Sequence, residues 1–347
     1  MWARRAFTTV VPKRVPNTAP YNYALATPCG NKQSPKAVTF RCSSSFPENN
    51  LESPDYHCTS LVKTSDHPAY LTGLLLPQSH RSSFFALRAF NVSTGMIKDL
   101  TKRGNEDVVK SKLDWWREGV SLCYDVKDGV IGEEELENYS HFRHPVIISL
   151  KKAILTNPYF TRRLFEIVLN SRRQTLGLPQ FTTLEDLVKH SYSIYGSMLK
   201  LECEIVEEGS DELDLILDHL GVALGVAKNI KYMKQLVQVG EIAVPSDIAR
   251  EGKVDMKMIV DDGEDVKGAV FKMACEGKEH LDQAREKLEK VKGVGKEVEA
   301  FLIEGLEAKR VYENLEKNDF LYSESEQFWD SLPVRMARGR LTRSTPF

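Results

Sequence analysis

Apolar residues recur at intervals of three and four along most of the chain from Pro54 to about residue 330, which is the spacing of one face of an α-helix. No two segments show the alternation of apolar and polar residues that is typical of paired strands. Glycine, proline and asparagine positions divide the region into helices predicted over residues 55–66, 79–100, 104–124, 146–155, 159–171, 183–206, 210–236, 247–250, 264–291 and 295–317. The pattern therefore predicts a single all-α domain over residues 51–330.

Two of these helices carry start signals. Thr183 lies three residues before Asp186, and Ser210 comes directly before acids that suit the positive N-terminal end of a helix dipole. The acid-rich runs near these positions are interpreted as solvated helix ends. We accordingly do not predict metal binding by the glutamates of this region, which are Glu202, Glu204, Glu207 and Glu208.

Charge distribution adds two terminal segments to this picture. The chain has 347 residues with a net charge of −2, but its first 47 residues contain seven basic residues and no acid before Glu48. A basic, hydroxyl-rich segment without a long apolar centre is typical of an imported protein, so residues 1–50 are predicted to be a mitochondrial presequence and a disordered linker. A disordered basic tail and a chloroplast transit peptide are the alternatives. Residues 331–347 are predicted to form a basic, flexible tail.

Other compositional signals exclude several classes of protein. No run reaches the ~18 apolar residues of a membrane-spanning helix, so any membrane contact is predicted to be peripheral. The six cysteines have no regular spacing, which argues against disulfides and zinc. His141 and His144 lack a third ligand nearby and are interpreted as loop and helix-start residues. The glycine turn KGVGK at 292–296 has acidic flanks, so nucleic acid is not a predicted partner.

Four segments in order resemble a known superfamily. They are the stretch from His57 to Val92, KLDWWREGV, HLGVALGVAKNIKYM and VGEIAVPSDIARE, and they are similar to the squalene and phytoene synthases. The AFNV and DWWRE pieces are closer to a mitochondrial branch of that superfamily, the assembly factor of respiratory complex I (NADH:ubiquinone oxidoreductase). The resemblance spans about residues 55–320. It implies a single isoprenoid-synthase-type helical bundle with a central cavity.

Active members of the superfamily hold two DxxxD motifs on facing helices. Carboxylates one helical turn apart bind the magnesium ions that neutralise a diphosphate leaving group. Counting from Phe90 places the first motif at Gly95 to Asp99, so that only its closing acid is present. The second motif would begin at Tyr232 or Met233, in a segment without any acid between Asp218 and Glu241. Catalytic residues and a bound metal are therefore not predicted.

The same counting of positions leaves two candidate residues for ligand contact. Arg81 matches the family's arginine four residues after Pro77, and Asp99 is the surviving acid. Each also has a structural interpretation, Arg81 as a helix-start arginine and Asp99 as a solvated helix-end acid. The diphosphate-contacting serines of the family fall on Asp66 and Pro68, and an expected tyrosine falls on His190.

Three functions remain open at this point. The preferred hypothesis is a non-catalytic mitochondrial protein on the matrix side of the inner membrane that acts in complex I assembly. Its expected partners are complex I subunits or other assembly factors, with possible peripheral membrane contact. One alternative is an active prenyl-diphosphate transferase that binds magnesium through Asp66, Asp99 and Asp218. The other is a carrier that binds a lipid or isoprenoid without chemistry. Only the transferase alternative requires a cofactor.

Overall fold

Helices account for most of the region that the computed structural model describes, which comprises residues 53–103, 106–261, 264–291 and 293–321. In these ranges the α-helices are α1 (Pro54–Ser65), α2 (His67–Leu75), α3 (Gln78–Gly95), α4 (Glu106–Lys127), α5 (Pro145–Thr156), α6 (Arg162–Gln174), α7 (Leu184–Ser191), α8 (Ser197–Ile205), α9 (Asp211–Lys231), α10 (Met233–Gln238), α11 (Ser246–Gly252), α12 (Met256–Asp261), α13 (Glu264–Lys290), α14 (Lys296–Leu302) and α15 (Gly305–Lys317). The 3-10 helices are Met96–Arg103, Glu133–Asn138 and Ser140–Arg143, and a π-helical turn covers Tyr192–Gly196.

The predicted all-α class is confirmed, since the described residues contain no strand beyond one isolated bridge between Gln180 and Ile242. Helices α2 and α12 were not predicted. The predicted helix over 183–206 is interrupted by the π-helical turn, and the one over 210–236 is divided at Tyr232. The predicted presequence and linker (1–50) and the predicted tail (331–347) lie outside the described residues.

Side-chain caps fix several helix starts as the sequence indicated. The backbone N–H of Asp186 donates to the Thr183 hydroxyl at 3.1 Å, and that of Leu213 donates to the Ser210 hydroxyl at 3.1 Å. Each cap satisfies a backbone donor that the first turn of a helix leaves without an intrahelical partner. Asp66 caps α2 in the same way, accepting from the N–H of Ala69 at 3.4 Å.

Helix α9 lies at the centre of one half of the bundle, where it packs against α13, α15, α7 and the π-helical turn. Two glycines allow this close approach. A Cβ on Gly221 would lie 2.3 Å from the backbone nitrogen of Gly196, and one on Gly225 would lie 2.3 Å from the Ser191 side chain. The backbone of the π-helical turn therefore contacts α9 directly at Gly221, and the Ser191 side chain does so at Gly225.

Helix α3 organises the other half of the bundle and packs against α1, α5 and α8. Its side chains from Ser83 to Phe90 are all buried, and the ring of Phe90 meets that of Phe165 edge to face at 5.3 Å. Trp116 of α4 is buried against Phe90, whereas Trp115 is half-buried and stacks on His141. Aromatic contacts of this kind contribute stability beyond the burial of area.

None of the described helices combines the length and the apolar composition that a bilayer crossing requires. The cysteines of the described region, Cys58, Cys123, Cys203 and Cys275, carry free thiols, in agreement with the absence of a predicted disulfide framework. Cys29 and Cys42 fall in the part of the chain that is not described.

Candidate functional site

A buried cluster of charged side chains lies between the two halves of the bundle, with Arg88 of α3 at its centre. The Arg88 side chain is 5% exposed, and three carboxylates surround it. Its Nε lies 2.5 Å from Oε1 of Glu202, its Nη1 lies 3.6 Å from Oδ2 of Asp66, and its Nη2 contacts Glu304. Burial alone would lower the pKa of Arg88, but the carboxylates outweigh it and raise that pKa. The guanidinium thus joins α3 to α8 and to two helix junctions.

Glu202 of α8 is the most deeply buried acid of this cluster, with no exposed surface. Removal from water raises its pKa to about 8, with Arg88 opposing and the nearby acids Glu304 and Asp66 adding to the rise. The Nε–H of Arg88 is not aligned for a hydrogen bond, and neither Glu202 oxygen has a hydrogen-bond partner among the described residues. Burial therefore favours the protonated form of Glu202 more than it is favoured in water, against the attraction of Arg88.

Two lysines of α9 and one glutamate of α15 extend the cluster. The Lys231 Nζ lies 2.7 Å from Oε1 of Glu307, and the Lys228 Nζ lies 3.7 Å from its Oε2. Burial would raise the pKa of Glu307, but the two ammonium groups lower it on balance. The same ammonium groups lie over aromatic rings, Lys228 over Tyr195 at 5.1 Å and Lys231 over Tyr232 at 5.2 Å. These lysines are thus held by an acid and by the faces of two rings.

The cations of the cluster are all paired with acids. The positive side chains are Arg88, Lys228 and Lys231, and the acids that face them are Asp66, Glu202, Glu304 and Glu307. Charges inside a protein are tolerated when they are paired in this way. Because each cation already has an acidic partner, the cluster has no excess of positive charge for a diphosphate.

The positions of the family's metal motifs do not fit magnesium. Gly95 is buried at the end of α3, where a Cβ would lie 4.0 Å from a guanidinium nitrogen of Arg172 rather than near an acid. Met233 is buried and Tyr232 is half-buried beside Lys231. No group of three or more histidine, cysteine, aspartate or glutamate side chains is arranged to hold a metal among the described residues.

The three acids of the transferase alternative are separated. Asp66 caps α2 and faces Arg88, Asp99 is exposed in the 3-10 helix Met96–Arg103, and Asp218 contacts Lys200 at 2.7 Å. Asp66 and Asp218 are thus each engaged in a local interaction rather than directed at a common metal position.

Arg81 connects two helices. Its guanidinium donates to the carbonyl oxygens of Leu76 and Leu74, both at 2.9 Å, and to the side chain of Gln78 at 3.2 Å. These carbonyls belong to the last turn of α2, where backbone acceptors lack intrahelical partners. The structural interpretation of Arg81 agrees with this geometry, and Arg81 and Asp99 are not brought together with the buried cluster.

His190, at the position of the family's tyrosine, is buried next to Ser171, with 3.2 Å between the Ser171 Oγ and its Nδ1. Burial, Lys98 and Arg172 lower its pKa well below the ordinary value, so the ring is neutral. Nearby, the buried pair of Lys98 and Glu241 lies 2.7 Å apart and joins the 3-10 helix after α3 to the segment after α10.

Comparison with known proteins agrees with this architecture. The family model described as squalene/phytoene synthase matches residues 62–338. The chain belongs to the squalene/phytoene synthase family. This membership covers most of the chain and confirms the resemblance that its four ordered segments indicated.

Solved structures support the same fold. The squalene synthase HpnC from Alicyclobacillus acidocaldarius superposes with a TM-score of 0.62 at 16% identity, covering 77% of this chain and 94% of that one. A dehydrosqualene synthase superposes with a TM-score of 0.65 at 16% identity, covering 82% and 94%. At such low identity the likeness establishes the isoprenoid-synthase fold and not the activity.

Curated relatives carry the name of the complex I assembly factor that the sequence indicated. The Homo sapiens protein named NADH dehydrogenase (ubiquinone) complex I, assembly factor 6, is 27% identical over 233 residues, which are 67% of this chain and 65% of that protein. Its Drosophila melanogaster homolog is 26% identical over 242 residues, 68% of each chain. The matched region thus spans just under two thirds of the human relative.

Sequence reasoning missed the buried cluster. Glu202 occupies the buried face of α8, four residues after Met198 and three before Ile205, both of which are buried. Arg88 likewise follows Phe84 by four residues on the buried face of α3. One signal in the sequence could have identified such a pair. It is a charged residue at a helix position where the periodicity predicts an apolar one.

Proposed function

We propose that this chain is a non-catalytic mitochondrial protein that acts in the assembly of respiratory complex I. The observation that carries the proposal is the replacement of both metal motifs, because Gly95, Tyr232 and Met233 stand where acids would be required. The cluster around Arg88 supports it, since its cations are already paired with acids of the bundle interior. The names of its relatives, complex I assembly factor 6, support the choice of complex I assembly as the process.

Deletion of the gene tests the proposal. Cells without the protein are expected to lose assembled complex I on native gels while their isoprenoid products stay unchanged. Expression of the full chain should restore complex I, and expression of the Asp99→Ala variant should restore it equally. The opposite result, normal complex I with altered isoprenoid products, would contradict an assembly role.

The transferase alternative makes a distinct prediction. Purified protein incubated with farnesyl or geranylgeranyl diphosphate and magnesium would have to give a condensed product, and Asp99→Ala would have to abolish it. We expect no product from either protein, because the acids at Asp66, Asp99 and Asp218 are not arranged around one metal position. Arg81 and Asp99 stay predicted contacts for a residual ligand, and a lipid that copurifies with the chain would favour the carrier alternative.

The location and the partners belong to the same proposal. We expect the protein on the matrix side of the inner membrane, in contact with complex I subunits or other assembly factors. Attachment would be peripheral, because no described helix is suited to span a bilayer. Alkaline carbonate extraction should release the protein from mitochondrial membranes, and added protease should digest it only after the inner membrane is opened.

A further inference from the structure

A groove of about 660 Å³ opens on the surface between the segment after α10 and helices α11 and α12. Apolar side chains that are buried or half-buried contribute to its lining, namely Ile242, Val254 and Met256. Exposed cationic side chains line it as well, and these are Arg250, Lys253 and Lys257. The groove therefore combines an apolar surface with positive charge, and it is distinct from the buried cluster around Arg88.

Most of the charged side chains that line the groove are positive. Arg250, Lys253 and Lys257 form no ion pair with a carboxylate of the described residues, whereas exposed Lys290 pairs with Glu286 at 2.7 Å. One acid, Asp255, also lines the groove, but its Oδ1 accepts from the N–H of Met258 at 2.8 Å. The groove thus carries more positive than negative side chains in a chain whose net charge is −2.

A rigid base supports the groove. The N–H of Ile242 donates to the carbonyl of Pro179 at 2.8 Å, and the N–H of Ser246 donates to that of Phe181 at 2.9 Å. Two exposed apolar side chains lie close in the chain to residues of the groove: Leu178, two residues before Gln180, is 46% exposed, and Val239, three residues before Ile242, is 37% exposed. The hydrogen bonds to Pro179 and Phe181 hold the backbone of this side of the groove in place.

We propose that this groove docks an acidic peptide segment of a partner protein, with apolar side chains interspersed among the acids. Charge complementarity selects the acids, because the three cations that line the groove attract an anionic chain and disfavour a basic one. The apolar lining selects the interspersed side chains. The groove is concave and so suits the side chains of a peptide, whereas a bilayer surface meets protruding side chains.

The test measures peptide binding directly. A short fluorescein-labelled peptide of alternating Glu and Leu is titrated with the full chain and followed by fluorescence anisotropy, beside a matched peptide with Gln in place of Glu. We expect the Glu peptide to bind more tightly and to lose affinity as salt is added. The triple variant Arg250→Glu, Lys253→Glu, Lys257→Glu is expected to weaken binding by about tenfold or more.

A matched control separates the groove from general charge. The triple variant Arg143→Glu, Arg163→Glu, Lys317→Glu changes the net charge by the same amount at exposed positions elsewhere, and it should bind like the wild type. Circular dichroism of both variants checks that the helical fold is retained. Equal loss of binding in the two triple variants would overturn the proposal, because the interaction would then depend on overall charge.

A lipid site is the other outcome that would overturn it. Vesicles of phosphatidylcholine with cardiolipin are offered in place of the peptide. If they bind the wild type and not the groove variant, while the Glu peptide binds neither, the groove recognises a membrane surface. The proposal deepens the assembly function, which supplies the setting for the partner. Failure of the docking proposal is distinguishable from failure of the assembly function, since complex I levels in deletion cells report on the assembly function alone.

Discussion

Glu202 gives the most specific prediction about the interior of this bundle. Its pKa rises from an ordinary 4.5 to about 8 because the side chain is removed from water. The unfolded chain releases this proton near pH 4.5, whereas the folded chain retains it until about pH 8. Between these values the folded state binds one more proton than the unfolded state, so the free energy of unfolding falls as pH rises.

The magnitude follows from the shift. One proton of difference corresponds to about 1.4 kcal/mol per pH unit, hence roughly 4 kcal/mol between about pH 5 and pH 8. Glutamine has the shape of the protonated acid and no charge to lose. The Glu202→Gln variant should therefore gain stability over the wild type as pH rises, with the difference levelling off above about pH 8.

Urea unfolding followed by far-ultraviolet circular dichroism measures this difference across the pH range. Buried histidines such as His144 and His219, whose pKa values burial lowers to about 4, titrate alike in both proteins and cancel in the comparison. Glu137→Gln, at an exposed position, serves as the control for replacing one glutamate by glutamine. A difference for Glu202→Gln that stays constant from pH 5 to pH 8 would refute the protonated form of Glu202.

Three further predictions concern the packing of the bundle. Arg88→Leu should destabilise the protein by about 3–5 kcal/mol in urea unfolding, because it leaves buried carboxylates without their cation; an unchanged midpoint would contradict the role of Arg88. Gly221→Ala should cost about 1–3 kcal/mol because its Cβ would meet the backbone of Gly196, whereas Gly268→Ala, exposed within α13 with open space around its Cβ, should be neutral or stabilising. The His144 imidazole should titrate near pH 4 by nuclear magnetic resonance because burial, reinforced by His57, disfavours its charged form, and a midpoint near its ordinary value of 6.5 would contradict that burial.

Much of the fold was predictable because helical periodicity is a local property. The start of α9 at Ser210 and the start of α7 at Thr183 were both readable from a few adjacent residues. The absence of the metal acids was readable in the same way, by counting along α3 and α9. Helix α2 was missed because Pro68 and Gly73 interrupt its pattern, although a proline in the first turn is compatible with a helix.

The buried cluster was not predictable from local pattern. Arg88 and its partner Glu304 are 216 residues apart, and Lys231 and Glu307 are 76 apart. A single charged residue in a helix is assigned to solvent unless its partner is known, because an unpaired charge in the interior is too costly. The pairing therefore depends on tertiary contacts that no short stretch of the sequence records.

The cluster also explains how the fold can persist without the metal motifs. In a bundle whose helices meet around charged groups, each ion pair is favourable only in one relative placement of its helices. Removing one partner leaves the other as an unpaired buried charge, which is strongly destabilising. Arg88 constrains α3 against the junction of α1 and α2 through Asp66 and against the junction of α14 and α15 through Glu304, and Glu307 constrains α15 against α9. The charged side chains of the interior thus hold helices in place. On our proposal, recognition of a partner takes place on the outer surface, where Arg250, Lys253 and Lys257 form no ion pair with a carboxylate of the described residues.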